Sequence, residues 1–309
     1  MTDESIQSTD LTRRRVIAAS GAGVVAVGIG GATAVGAAAE SKGKKPSPGH
    51  RRPRPECVEL SPEQVEGPYF LDYALFRKDI TEDEAGVPLR LRIKVIDSVT
   101  CEPLRNAAVD VWHCNAIGLY SGYTAMGSGG GGGGTPPTGP PPTGTPTGPP
   151  PGGGGGHAAP TDDLTFLRGS QVTDHHGEVE FRTVYPGWYQ GRAVHIHLKV
   201  VAEGQKTADG YEGGHQCHTG QFYFSEESAL EIAALDPYKT NTTTRVTLDE
   251  DSIYPGTGLL GGLLPLHYRK GHIALGVRSS ITVGVDPDAV NGGSGTPPQA
   301  SATPSASAS

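Results

Sequence analysis

The stretch Leu89-Arg90-Leu91-Arg92-Ile93-Lys94-Val95 alternates apolar and cationic residues without a break. Successive side chains of an extended chain point to opposite faces, so this pattern predicts a strand with one buried and one solvated side. Val109-Asp110-Val111-Trp112, Val179-Glu180-Phe181-Arg182-Thr183-Val184 and Gln221-Phe222-Tyr223-Phe224 read the same way. So do Val194 to Val201, Ile273 to Val277 and Ile281 to Val285. Asp174-His175-His176-Gly177 has the composition of a turn between two such strands. Only Glu226 to Ala234 reads as a helix. Short strands separated by turn signals predict an all-β fold: an antiparallel β-sandwich with long loops and at most one or two short helices.

Working outward, the strands occupy residues 57–286, and low-complexity sequence flanks and interrupts them. Residues 127–156 are almost entirely Gly, Pro and Thr, which cannot bury enough apolar area to offset ordering entropy. They read as a disordered insertion, tolerated because loop entropy grows slowly with length. Residues 287–309 read as a disordered tail and residues 40–56 as a flexible linker. Residues 1–39 carry Arg13-Arg14 ahead of a weakly apolar Ala/Gly/Val stretch that ends in Ala37-Ala38-Ala39. That order is the pattern of a twin-arginine export signal with a small-residue cleavage site. It predicts a secreted protein handled by the twin-arginine machinery, with no stable membrane anchor because glycines interrupt the apolar run.

The chain of 309 residues has a net charge of -8, and its pI of about 5.7 argues against nucleic acid as a partner. Its four cysteines, Cys57, Cys101, Cys114 and Cys217, lack the CxxC spacing of a zinc site. In an exported protein they are compatible with two disulfides, in any of three pairings.

The chemistry concentrates around His195-Ile196-His197. On a strand these imidazoles share one face, roughly 7 Å apart along the chain, and can converge on one metal while Ile196 serves the core. Alone, the tripeptide fits two histidines on a solvated strand face better. Tyrosines supply the support. Tyr185-Pro186-Gly187-Trp188-Tyr189-Gln190-Gly191-Arg192 is a turn-forming segment just upstream, and Trp112-His113 runs through Gly118 to Tyr120-Ser121. No acidic residue flanks the histidines to complete a carboxylate-based Fe(II) triad.

Together, Glu66-Gly67-Pro68-Tyr69-Phe70, Val111-Trp112-His113, Gly118-Leu119-Tyr120-Ser121, Pro186-Gly187-Trp188-Tyr189 and Arg192-Ala193-Val194-His195-Ile196-His197 resemble the intradiol ring-cleavage dioxygenases, in that family's order. The resemblance implies Fe(III) held by Tyr120, Tyr189, His195 and His197. It places the catalytic roles on Tyr189 as proton acceptor and on Arg192 and Gln221 as stabilisers of charge on the substrate. It implies a small aromatic diol and O2 as substrates, opened between the hydroxyl-bearing carbons to a cis,cis-muconate-type diacid. Tyr123 and Tyr185, off the motif positions, are assigned packing or pocket-lining roles, and His113 a structural one.

The implied ligand set is physically coherent. A phenol titrates near 10, so only a strongly polarising cation holds it as phenolate at neutral pH. Two phenolates and a hydroxide cancel the charge of Fe(III), limiting the cost of burying it. The rival readings are a non-catalytic sandwich that binds a ligand or extracellular polymer, and a copper or zinc protein using the histidine pair alone.

Overall fold

The alternating stretch forms the middle of β1 (Pro88–Asp97) in the computed structural model, which describes residues 57–72, 74–129, 158–208 and 210–291. The export signal, the linker, most of the insertion and most of the tail lie outside these residues. Leu89, Leu91, Ile93 and Val95 are buried, while Arg90 and Arg92 are exposed, as a half-buried strand requires.

Around β1 the chain builds two four-stranded sheets. In one, β4 (Glu178–Val184), β1, β8 (Val277–Val285) and the short β7 (Leu266–His267) lie side by side in that order. The other runs β3 (Arg168–Val172), β2 (Ala108–Trp112), β5 (His195–Lys206) and β6 (Tyr211–Tyr223). Two elements of opposite chain ends pair in β1 and β8, which run parallel; among the described residues the other strand pairs are antiparallel. The inner faces meet in one core: Leu91, Ile93 and Phe181 from the first sheet, Val109, Ile196, Leu198 and Val200 from the second. The protein is an all-β sandwich.

One regular helix, α1 (Glu226–Ala233), follows β6. Ser225 caps it by accepting the Ser228 N–H at 3.3 Å, and Glu226 and Glu227 sit at the positive end of its dipole. Single turns occur at Thr124–Gly129, Tyr238–Thr240, Tyr254–Gly258 and Ile273–Leu275. Among the described residues no helix is long and apolar enough to cross a membrane.

Three sequence expectations change. Ile273–Leu275 is a 3-10 turn and not the start of a strand, because Gly276 at φ +118° breaks the extended chain and β8 begins at Val277. Arg168–Val172 is a strand although it lacks apolar alternation; its pairing with β2 decides it. The cysteines form one disulfide and not two. Cys57 and Cys101 are bonded, with Cα atoms 4.7 Å apart. Cys114 and Cys217 are buried free thiols in different clusters, Cys217 in the inter-sheet core and Cys114 among tyrosines on the far side of the second sheet.

Candidate metal centre

Alternation along β5 places Ile196, Leu198 and Val200 in the inter-sheet core, so His195 and His197 face the other side. That outer face is not solvated. It is covered by a second cluster of Tyr69, Trp112, Cys114, Tyr120, Tyr123 and Tyr189, and both histidines are buried. Strand register aligns the neighbours: Trp112 and Gln221 flank His197, and Tyr223 flanks His195. The indole of Trp112 stacks on the His197 ring at 4.9 Å, nearly parallel.

The two tyrosines arrive on loops that interlock. Asn115 turns the first, accepting the Ile117 and Leu119 N–H groups at 3.2 and 3.0 Å. Gly187 of the second loop donates its N–H to Asn115 O at 3.1 Å. A Cβ at Gly187 would collide with the Ala116 carbonyl, and one at Gly118 (φ +86°) with the Trp188 carbonyl. Only glycine lets the two backbones touch. The contact sets the Tyr120 and Tyr189 rings 5.6 Å apart, edge to face.

Polar atoms converge there. His195 Nδ1 lies 2.7 Å from Ala193 O; a carbonyl only accepts, so Nδ1 carries the proton and Nε2 presents a lone pair. That Nε2 is 3.1 Å from His197 Nε2 and 3.4 Å from the Tyr189 hydroxyl. His197 Nδ1 and the Tyr120 hydroxyl are buried with no hydrogen-bond partner. Burial holds both imidazoles neutral, well below their ordinary range, with the Arg192 charge adding to the effect. Burial also pushes the Tyr120 phenol far up and Tyr189 up to about 12, the latter against the pull of Arg192. An inward lone pair on His195, a facing imidazole nitrogen of His197 and an unsatisfied phenol are a costly arrangement for an apo protein and a natural one for a ligand set. Among the described residues no three His, Cys, Asp or Glu side chains gather to hold a metal. Beside the histidine pair stand phenol oxygens, the Tyr189 hydroxyl at 3.4 Å from His195 Nε2, a donor type that a hard, highly charged ion such as Fe(III) favours.

Beside the phenols lies a fixed guanidinium. Arg192 donates to Asp251 from Nε at 2.8 Å, to Gln221 Oε1 from Nη2 at 2.6 Å, and more distantly to the Tyr189 hydroxyl from Nη1 at 3.4 Å. Gln221 in turn donates to Val65 O at 2.9 Å and accepts from the Tyr223 hydroxyl at 3.0 Å. Asp251 is fully buried and also accepts the N–H groups of Ala193, Ile253 and Tyr254, each within 2.9 Å. Burial alone would raise its carboxyl, but Arg192 and these donors hold it below the usual range.

All six residues singled out from the sequence, Tyr120, Tyr189, Arg192, His195, His197 and Gln221, thus fall in one buried neighbourhood. Tyr123 packs against Tyr69 and donates to Ala158 O at 3.0 Å, and Tyr185 lies in the main core. His113 has both ring nitrogens bonded, to Cys114 O and Thr183 Oγ1. The 127–156 tract begins next to this centre: Gln190 N–H donates to Ser128 O at 2.8 Å. Asp251 gave no local signal, lying 59 residues from its partner. Tyr223 did give one, since strand alternation puts it on the face of Gln221. Tyr69, stacked on Tyr120 at 4.6 Å, was visible only as part of a longer segment.

No protein-family model matches the sequence, and no curated protein matches it. Solved structures do match. The chain is similar to an intradiol ring-cleavage dioxygenase from Tetranychus urticae, at 26% identity and a TM-score of 0.60, covering 76% of this chain and 98% of that one. A second dioxygenase crystal structure gives 27% identity, a TM-score of 0.60, and coverage of 77% and 98%. Its structural neighbours are intradiol ring-cleavage dioxygenases. Both reported structures are matched over nearly their whole length. The likeness supports the dioxygenase class over a non-catalytic sandwich.

Proposed function

We propose that this protein is a secreted non-haem Fe(III) dioxygenase that opens catechol-type rings between the two hydroxyl-bearing carbons, with O2, to cis,cis-muconate-type diacids. The observation that carries it is the buried meeting of two imidazole Nε2 atoms, 3.1 Å apart, with the partnerless Tyr120 hydroxyl.

Tyr120, Tyr189, His195 and His197 would hold the iron. When bound, Fe(III) would supply the Lewis acidity that keeps phenols ionised and activates a catechol toward O2. The chain's own groups do the rest. Tyr189, next to the Arg192 charge, is placed to accept a proton that a catechol hydroxyl must lose. Arg192, immobilised by Asp251 and Gln221, presents positive charge where negative charge develops on the substrate, without reorganising during the reaction. The aromatic walls of Tyr69 and Trp112 exclude water and strengthen these interactions.

The export reading rests on Arg13-Arg14 and the apolar stretch after them. Because the twin-arginine route carries folded proteins, it suits an enzyme that takes up its metal in the cytoplasm.

Metal analysis and visible spectroscopy of the purified protein, followed by oxygen uptake on catechol, protocatechuate and hydroxyquinol, test the proposal. Stoichiometric iron, a tyrosinate-to-iron absorption band and equimolar consumption of O2 and diol are expected. Protein purified with zinc or copper and lacking that band would sink it.

A further inference from the structure

The outer face of the first sheet carries a charge pattern that the metal centre does not use. In two of its rows opposite charges face each other across strands: Arg92 opposes Glu180, and Lys94 opposes Glu178. In the next row the rule is broken. Arg182 of β4 opposes Arg90 of β1, Arg90 opposes Arg278 of β8, and Arg278 opposes His267 of β7. Like charges placed directly opposite destabilise a sheet, so three arginines facing one another across β4, β1 and β8 form a cationic row suited to an anionic ligand.

Compensation from nearby acids is partial. Glu180 reaches Arg90 only at 4.0 Å and is shared with Lys78 and Arg92. Asp79, bridged to Arg182 in the sheet, lines the same cleft; its carboxylate accepts from the Thr81 hydroxyl at 2.6 Å and also lies in the field of Arg182. Among the described residues Arg182, Arg278 and the adjacent Arg269 make no ion pair. The row forms the floor of an open cleft of about 730 Å³, whose rim carries Arg269 and Tyr268.

We infer that this cleft binds an acidic polysaccharide, laid across the strands with its carboxylates over the arginine row. Neighbouring strands lie about 4.8 Å apart, so the three arginines offer a cation at roughly that interval over about 10 Å. Double-stranded DNA, with one charge per roughly 1.7 Å, is far denser than this array. Single-stranded nucleic acid needs aromatic platforms for its bases. Here Tyr268 is half-buried and donates its hydroxyl to Glu231 at 3.3 Å. A flexible chain with one carboxylate per sugar matches both the spacing and the lack of a stacking surface. This inference does not rest on the proposed ring cleavage.

The test is binding of the full-length protein to polygalacturonate at low ionic strength, by affinity electrophoresis and calorimetry. Binding is expected to vanish at about 1 M salt, where screening falls to ~3 Å. The Arg269→Ala/Arg278→Ala protein should bind on the order of tenfold more weakly, while keeping its fold and its oxygen uptake. Lys94→Ala, on the same face but outside the cleft, should bind like the unsubstituted protein. Equal binding by the double variant, equal binding of fully methyl-esterified polygalacturonate, or displacement by single-stranded DNA at lower concentration would each overturn the inference.

Discussion

Two buried regions of this molecule use the same residue types in opposite ways. In the core between the sheets, Tyr238 donates to Tyr185 O at 2.6 Å and accepts the Val87 N–H at 2.9 Å. Tyr185 shares a hydrogen bond with Ser228 at 2.9 Å. Across the second sheet, Tyr120 is equally buried and has no partner. The histidines repeat the contrast: His113 is bonded at both nitrogens, while His195 and His197 turn their Nε2 atoms toward each other and His197 Nδ1 is left over. Folding alone explains the first region, because buried polar groups in a finished core are satisfied. It does not explain the second, whose unsatisfied donors match the proposed metal site.

The strongest way to break the comparison is to remove a donor from the unsatisfied region. His197→Ala should lower iron affinity by more than the roughly 100-fold that losing a ligand's supporting hydrogen bond costs, and abolish ring cleavage and the visible band. Full iron content in that variant would show that the four side chains are not the ligand set. Asp251→Asn is a finer cut. It keeps the shape of the group that anchors Arg192 and removes its charge, so iron should remain while kcat falls on the order of 10- to 100-fold. An unchanged kcat would remove Arg192 from the mechanism.

The satisfied region makes a prediction about pH. Burial pushes His113 down to about 4, against its hydrogen bond to Cys114 O, whereas an unfolded histidine titrates near 6.5. The folded protein prefers neutral His113, so this stability is present above about pH 6.5 and is lost as pH falls toward 4. The loss is on the order of 3 kcal/mol. Urea denaturation of the metal-free protein and of His113→Gln isolates it: the difference between the two should shrink by that amount across the window. A constant difference would mean that His113 is charged in the fold.

How much of this was legible beforehand follows from the range of each interaction. Leu89–Val95 announced its strand because burial on one face is a local, periodic demand. His195 and His197 share a face for the same reason, whereas Tyr120 and Tyr189 were assigned through the order of motifs that resembles the intradiol dioxygenases. The β1–β8 pairing joins the two ends of the fold and has no local signature. Asp251 is fixed by contacts to Arg192 and Ala193 far away in sequence, and the buried ion pair of Glu66 with Lys199 is likewise long-range. The free thiols were misread because equal counts of cysteine say nothing about which side of a sheet each occupies.

The smallest predicted effect is the most discriminating, because it turns on sign. Tyr238→Phe removes a hydroxyl that two backbone groups need, and should destabilise the protein by about 1–3 kcal/mol whether or not metal is bound. Tyr120→Phe removes a hydroxyl that nothing in the chain uses. In metal-free protein it should therefore be neutral or stabilising by up to about 1–3 kcal/mol, since an unsatisfied buried phenol is lost and its ring contacts with Tyr69 stay. In iron-loaded protein the sign should reverse, because a ligand has gone and bound metal contributes to stability in proportion to its affinity. Denaturation curves of each variant, with and without iron, give four numbers. If Tyr120→Phe were destabilising in the metal-free protein too, its hydroxyl would have a partner within the chain, and the difference between the two regions would be one of packing and not of chemistry.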